Sequence, residues 1–320
     1  MEVSSNFPSS DLEVSEGHSL KSSIYKNIKS SPISNILEPP QTQFLLDEDE
    51  KFSLAKITSA KKALKVLMKA KIIDGREFVV LTGLTPTLVN SLWNLLSMEY
   101  PKIRKSSDPR KGILELKVPT WMHEEVHDWL WICREMWNEQ NLLTVNEKRD
   151  LRMLPSPAVD LRGPAKIAAA PKKEPDTAII SLRAPPSAVG KSPIPSIMVE
   201  TGYSQGYTSL QENMRRIFWG GSPEIQLVVI VKFTKLAHTV KGRIEFWRRD
   251  ATGTPVKDEE RTIFPAPIIP QPTLSFTRAE LFGPAFLFPN RNPNDAFPLD
   301  LDELRRSITI FLSHKGLVPA

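Results

Sequence analysis

The stretch that most constrains this chain runs from Pro195 to Phe233. Pro195 opens an apolar run, Ile197, Met198 and Val199, which Glu200 closes and Gly202 breaks; this reads as a strand. Ser209 to Trp219 follows as a helix, with Leu210, Met214, Ile217 and Phe218 at helical spacing. Gly220, Gly221 and Pro223 stop that helix. Ile225 to Phe233 is then almost continuously apolar, the pattern of a strand buried on both faces of a sheet. A carboxylate at the very end of a hydrophobic strand, just before a helix, is the feature that asks for an explanation.

Bulk properties narrow the class. The chain has 320 residues, enough for one large core or two modest ones. Its mean hydropathy is -0.25, and no apolar run approaches the roughly 18 residues of a membrane span. From Glu2 onward the N-terminus is acidic and polar, without the basic-then-apolar pattern of a signal peptide. A single cysteine, Cys133, excludes an internal disulfide and a multi-cysteine zinc site. These features predict an intracellular protein, cytoplasmic or nuclear, with no membrane and no disulfide partner. The net charge of +5 allows a polyanionic partner such as nucleic acid without requiring one, because 37 acidic residues offset 42 basic ones.

Four regions are expected along the chain. Residues 1–50, rich in Ser, Pro and acidic residues, read as a disordered tail. Residues 51–110 read as an N-terminal helical region. Phe52 to Ile73 has Ile57, Ala60, Leu64 and Leu67 on one face, and a second helix starts at Thr85 (N-cap) and Pro86 and runs to about Met98. A short strand, Phe78 to Leu81, lies between them, and Lys102 to Lys111 reads as a basic loop.

Residues 111–250 carry the expected core: a strand over Ile113–Val118, a long helix from Trp121 to about Leu142, and strands at Thr177–Leu182, Ile197–Glu200 and Ile225–Phe233. Leu151 to Pro175 is either a flexible connection or a hairpin strand with a Pro-rich loop. Val240–Trp247 reads as a strand near a sheet edge. Residues 251–320 form an extension with a strand at Thr273–Arg278 and a closing helix, Leu301–Leu312, capped by Asp300. The class is α/β with mixed α+β character.

In chain order the middle reads helix, uncertain strand, strand preceded by Asp176, strand ending in Glu200, helix, strand. Carboxylates at the ends of neighbouring strands can converge on one Mg2+, which takes hard oxygen ligands, keeps several waters and activates one of them. Arg215 and Arg216 on the following helix are candidates to offset developing negative charge. Gln211, Glu212 and Glu124 are weaker candidates. His123 and His127, four apart on a helix, have metal-binding spacing but no third ligand, and read as packing or surface residues. There is no phosphate-binding Gly-rich loop and no Gly-x-Ser-x-Gly elbow.

Pro175-Asp176, then Met198-Val199-Glu200-Thr201 with Ser204, then a basic residue one helix later at Arg215, resembles the PD-(D/E)XK nuclease-like superfamily, in its restriction-endonuclease-like branch of unknown function. The resemblance covers about residues 110–250. It implies an α-β-β-β-α-β core with additional N-terminal helices and a C-terminal helix. It also implies Mg2+-dependent phosphodiester cleavage, with Asp176 and Glu200 as metal ligands and Arg215 as the third catalytic residue. The sequence departs from the usual signature at two places. The position two after Glu200, normally lysine, is Gly202, and the helical cation is an arginine, which stays protonated and is a poor base. Two readings stay open: a nuclease, or a catalytically inactive member of the fold acting as a nucleic-acid or protein interaction module.

Overall fold

The computed structural model describes residues 50–53, 59–69, 78–161, 171–184, 193–203, 205–221 and 223–320. The expected tail up to residue 49, residues 54–58 and 70–73 of the expected first helix, and Ser204 lie outside these residues; Phe52 and Ser53, expected to begin that helix, belong to a strand instead.

The chain enters with β1 (Glu50–Ser53), α1 (Ala60–Lys69), β2 (Phe78–Thr82), α2 (Pro86–Glu99), β3 (Arg104–Asp108) and β4 (Ile113–Lys117). Thr85 caps α2 as expected, its side chain accepting from the Leu88 amide. β3 is a correction to the sequence reading: the basic loop is a strand. Its sequence RKSSD carries no apolar signal, yet all five residues are buried.

Next come α3 (Trp121–Glu139), α4 (Val145–Asp150), β5 (Leu151–Pro155), β6 (Val159–Asp160) and β7 (Lys172–Lys173), so the undecided 151–175 stretch holds strands. The Pro195–Phe233 stretch follows β8 (Thr177–Ser181) as β9 (Ile197–Gly202), α5 (Tyr207–Gly220) and β10 (Leu227–Leu236). β11 (Thr239–Arg249), β12 (Pro255–Phe264), β13 (Ser275–Thr277), α6 (Arg278–Phe282), β14 (Ala296–Pro298), α7 (Leu301–His314) and β15 (Val318–Pro319) complete the chain.

Two large sheets result. The first has six strands in the order β1-β2-β4-β3-β7-β6. Period-two alternation sorts its side chains: Val79, Leu81, Leu114 and Leu116 pack with Leu64, Leu67, Leu88, Leu92 and Leu96 of α1 and α2. The opposite face of β3 and β4 carries Arg104, Ser106, Glu115 and Lys117, with Arg104 opposite Lys117 and Ser106 opposite both Glu115 and, in β7, Lys173.

The second sheet runs β12-β11-β10-β9-β8-β5, with β15 beside β11. β5, β8 and β9 form an antiparallel meander, and β9 and β10 are parallel, joined by α5. Ile197 and Val199 of β9, with Leu227, Val229, Val231 and Phe233 of β10, pack toward the core that holds α3 and α7; Met198, Val228 and Ile230 pack under α5. The buried-both-faces expectation for β10 is met along Leu227–Phe233. β11 lies between β10 and β12, not at an edge: Gly242 and its charged neighbours suggest an edge, but the unanticipated β12 covers that side. Trp129 and Trp137 of α3 tie the C-terminal region down by donating to the carbonyls of Asp300 and Pro298 at 2.6 and 2.7 Å.

Cys133 is free and buried, and burial pushes its thiol up to about 12. Among the described residues no helix is long and apolar enough to cross a membrane.

Candidate functional site, a buried charge cluster between two sheets

The chain passes from one sheet to the other through residues 172–177. Lys172 and Lys173 pair with β3 in the first sheet; four residues on, Thr177 pairs with Val199 in the second. Asp176 sits at this crossing, its amide donating to the Val199 carbonyl at 3.1 Å. Glu200 follows one residue after Val199, so register alone brings the two carboxylates to neighbouring strands. They belong to one cluster, as their spacing in the sequence suggested.

What faces them comes from the first sheet. Lys117 Nζ lies 3.0 Å from Asp176 Oδ2, 3.4 Å from Glu200 Oε2 and 3.0 Å from the Thr201 carbonyl oxygen. Lys173 Nζ stands 3.0 Å from Glu200 Oε2. Arg104 donates to Asp176 Oδ1 and, at 2.7 Å, to Glu124. The Thr201 amide donates to Asp176 Oδ2 at 2.6 Å. Asp176 is 1% exposed and Glu200 0%; Arg104, Lys117 and Lys173 are each 5% exposed or less. Three cations thus meet three carboxylates, Glu124 included. The cavity beside the cluster, lined by Phe78, Arg104, Ser106, Glu115, Lys117 and Lys173 among others, has a volume of about 10 Å³, room for about one water.

The protonation states follow from this packing. Burial by itself would raise the Asp176 carboxyl, but Lys117, His123, Arg104 and the Thr201 amide outweigh it and hold the carboxyl well below the usual carboxylate range. Burial would lower the Lys117 ammonium, and Asp176 and Glu200 reverse that and raise it. His123 is fully buried, and burial lowers it to about 4 despite the nearby Asp176, so it is neutral at pH 7. Its Nδ1 accepts from the Thr120 amide at 2.9 Å, which places its proton on Nε2. His127 Nδ1 is 3.0 Å from Thr177 Oγ1. No group of three or more His, Cys, Asp or Glu that could hold a metal is found among the described residues.

Arg215 is exposed on α5 and stands apart from the carboxylates; its neighbour Arg216 turns inward, pairing with Glu115 and Asn213. Gly202 is closely approached from α5. A Cβ there would come within 2.6 Å of the Leu210 Cδ1, and Leu210 is fully buried where α5 crosses the strand. Lysines nevertheless reach the carboxylates, from β4 and β7. Lys117 was not legible in advance, because it lies 59 and 83 residues from its two partners in the chain.

Mg2+, which the resemblance implies, can be tested against this donor set. Two carboxylate oxygens and a backbone carbonyl converging on one point are a hard-oxygen arrangement. That point is taken by an ammonium whose three N–H donors match the three oxygens, and Arg104 and Lys173 compensate the remaining charge. A divalent cation does not fit the cluster as it stands. No protein-family model matches this chain, and no curated protein matches it significantly.

Proposed function

We propose that this chain is a restriction-endonuclease-like protein with a closed site, a non-cleaving module that binds nucleic acid. The fold is supported by α3, β5, β8, β9, α5 and β10, which run helix, three-strand antiparallel meander, helix, parallel strand. One observation carries the closed-site reading: Asp176 and Glu200 are buried and already neutralised by Arg104, Lys117 and Lys173, with space beside them for about one water. A phosphodiester cannot reach buried, paired carboxylates without parting the two sheets.

The nucleic-acid partner is supported by exposed basic and aromatic side chains on α5 and after β3. The Arg110 guanidinium lies 4.6 Å from the centroid of the Trp219 ring, and that tryptophan is 45% exposed. Arg215 sits four residues before Trp219 on the same helix face, and Lys111 is exposed beside Arg110. Exposed rings next to cations suit stacked bases and a phosphate backbone.

The test uses the purified full chain with fluorescent single-stranded and duplex oligonucleotides over a salt series, and with plasmid in MgCl2 or MnCl2. The expected result is binding that weakens steeply with salt, is reduced in Trp219→Ala and Arg215→Ala, and is accompanied by no cutting. Absence of binding at low salt would sink the proposal. The second reading, metal-dependent cleavage through Asp176 and Glu200, is favoured by the convergence of two carboxylates and two lysines. Cutting that vanishes in both Asp176→Ala and Glu200→Ala would establish it instead.

A further inference from the structure

We infer that Lys117 is the resident cation of the Asp176–Glu200 pair, an ammonium tethered to β4 that does for these carboxylates what a bound metal ion would do, and so fastens the two sheets together. The inference rests on the closed-site reading and is independent of the nucleic-acid partner. Three observations carry it. Among the described residues Lys117 is the cation that bridges both carboxylates; Arg104 pairs with Asp176 and Lys173 with Glu200. Its third contact is a backbone oxygen, that of Thr201, so all three N–H donors point at oxygens, the ligand type a hard divalent cation selects. Its strand is anchored elsewhere: Leu114 and Leu116, on the opposite face of β4, belong to the apolar core under α1 and α2.

Removing the ammonium leaves three oxygens converging on an empty point, two of them charged. Arg104, shared with Glu124, and Lys173 no longer balance the buried carboxylates, and buried charge left uncompensated is costly, so the vacated point should accept a divalent cation that the wild type refuses. The experiment compares thermal unfolding and Mn2+ titration calorimetry of the full-length wild type, Lys117→Ala and Lys117→Ala/Glu200→Gln, with NaCl at matched ionic strength as control. The wild-type transition should not move with MnCl2. Lys117→Ala should unfold at lower temperature, recover with MnCl2 but not with NaCl, and take up one Mn2+ per chain; the double variant should lose the recovery.

A Lys117→Ala protein indifferent to Mn2+, or a wild type that responds as strongly, overturns the inference. Should Lys117→Ala not fold in buffer, Lys117→Ser and refolding in MnCl2 replace the melting readout, and a chain that stays unfolded with Mn2+ in both variants counts against it equally. Metal-dependent cutting by the wild type is read on a separate gel and removes the closed-site reading itself.

Discussion

Two buried ionic clusters among the described residues are built differently. In one, Glu147 of α4 accepts from Arg278 at the start of α6 through Oε1 and from the Thr144 amide through Oε2 at 2.7 Å. Arg278, 1% exposed, also donates to the Leu142 carbonyl at 2.9 Å and pairs with Asp295. Every oxygen of that central carboxylate is used, one of them by its own helix cap. The cluster is a clamp.

In the other, Asp176 is saturated by Arg104, Lys117 and the Thr201 amide, while Glu200 Oε1 has no hydrogen-bond partner among the described residues. Buried polar atoms without partners are uncommon, and a clamp built for stability alone has no use for one. The comparison separates ionic pairing that fixes local structure from pairing that closes a site two sheets share.

The largest effects should come from cutting the saturated carboxylates. Asp176→Ala and Glu147→Ala each strand buried guanidinium or ammonium groups, and each should lower unfolding free energy by about 3–5 kcal/mol in denaturant melts. Glu200→Gln keeps the shape and one acceptor, with one oxygen already unpartnered, and should cost about 1–3 kcal/mol. Equal losses for Glu200→Gln and Asp176→Ala would erase the distinction between the clusters.

The next difference is in pH. His123 belongs only to the Asp176–Glu200 cluster, and its folded value of about 4 lies below its ordinary 6.5. The folded state therefore binds fewer protons, so the stability tied to His123 is complete above pH 6.5 and is lost as pH falls from 6.5 toward 4. The loss should be on the order of 3 kcal/mol. Asp176, also depressed, adds a further loss below about pH 4. His123→Gln should flatten the slope between pH 6.5 and 4, followed by chemical denaturation at each pH, whereas Glu147→Gln should leave the slope unchanged. A slope that survives His123→Gln assigns it to another group.

The smallest contrast lies on α5. Arg216→Ala leaves Glu115 without its partner at the rim of the Asp176–Glu200 cluster and should cost about 1–3 kcal/mol. Arg215→Ala removes an exposed side chain and should change stability by less than about 0.5 kcal/mol, its effect confined to nucleic-acid affinity. A stability loss in Arg215→Ala as large as that in Arg216→Ala would put the wrong arginine at the cluster.

The limits of the sequence are visible in particular residues. Apolar periodicity was enough for β9, α5 and β10, because a strand buried on both faces and a one-sided helix write their burial into residue type. Capping chemistry is local, so Thr85 and Asp300 marked helix starts correctly; the Asp300 side chain accepts from the amides of Asp302 and Glu303. That Asp176 and Glu200 lie on neighbouring strands was legible too, since adjacent antiparallel strands bring their ends together.

β3 escaped, because its five residues are polar and are buried by neutralisation instead of by apolarity. Lys117 escaped for a different reason: nothing near it in the chain says that its ammonium leaves its own sheet for carboxylates in another. Arg215 and Arg216 differ by one position, and only the rotation of α5 against β4 decides which faces inward. Residue order was enough for β9, α5, β10 and the capped helix starts, and for putting Asp176 and Glu200 on neighbouring strands. The tertiary structure decided which charges meet that pair, because the Coulombic partners of a buried ion are set by how sheets pack and not by order along the chain.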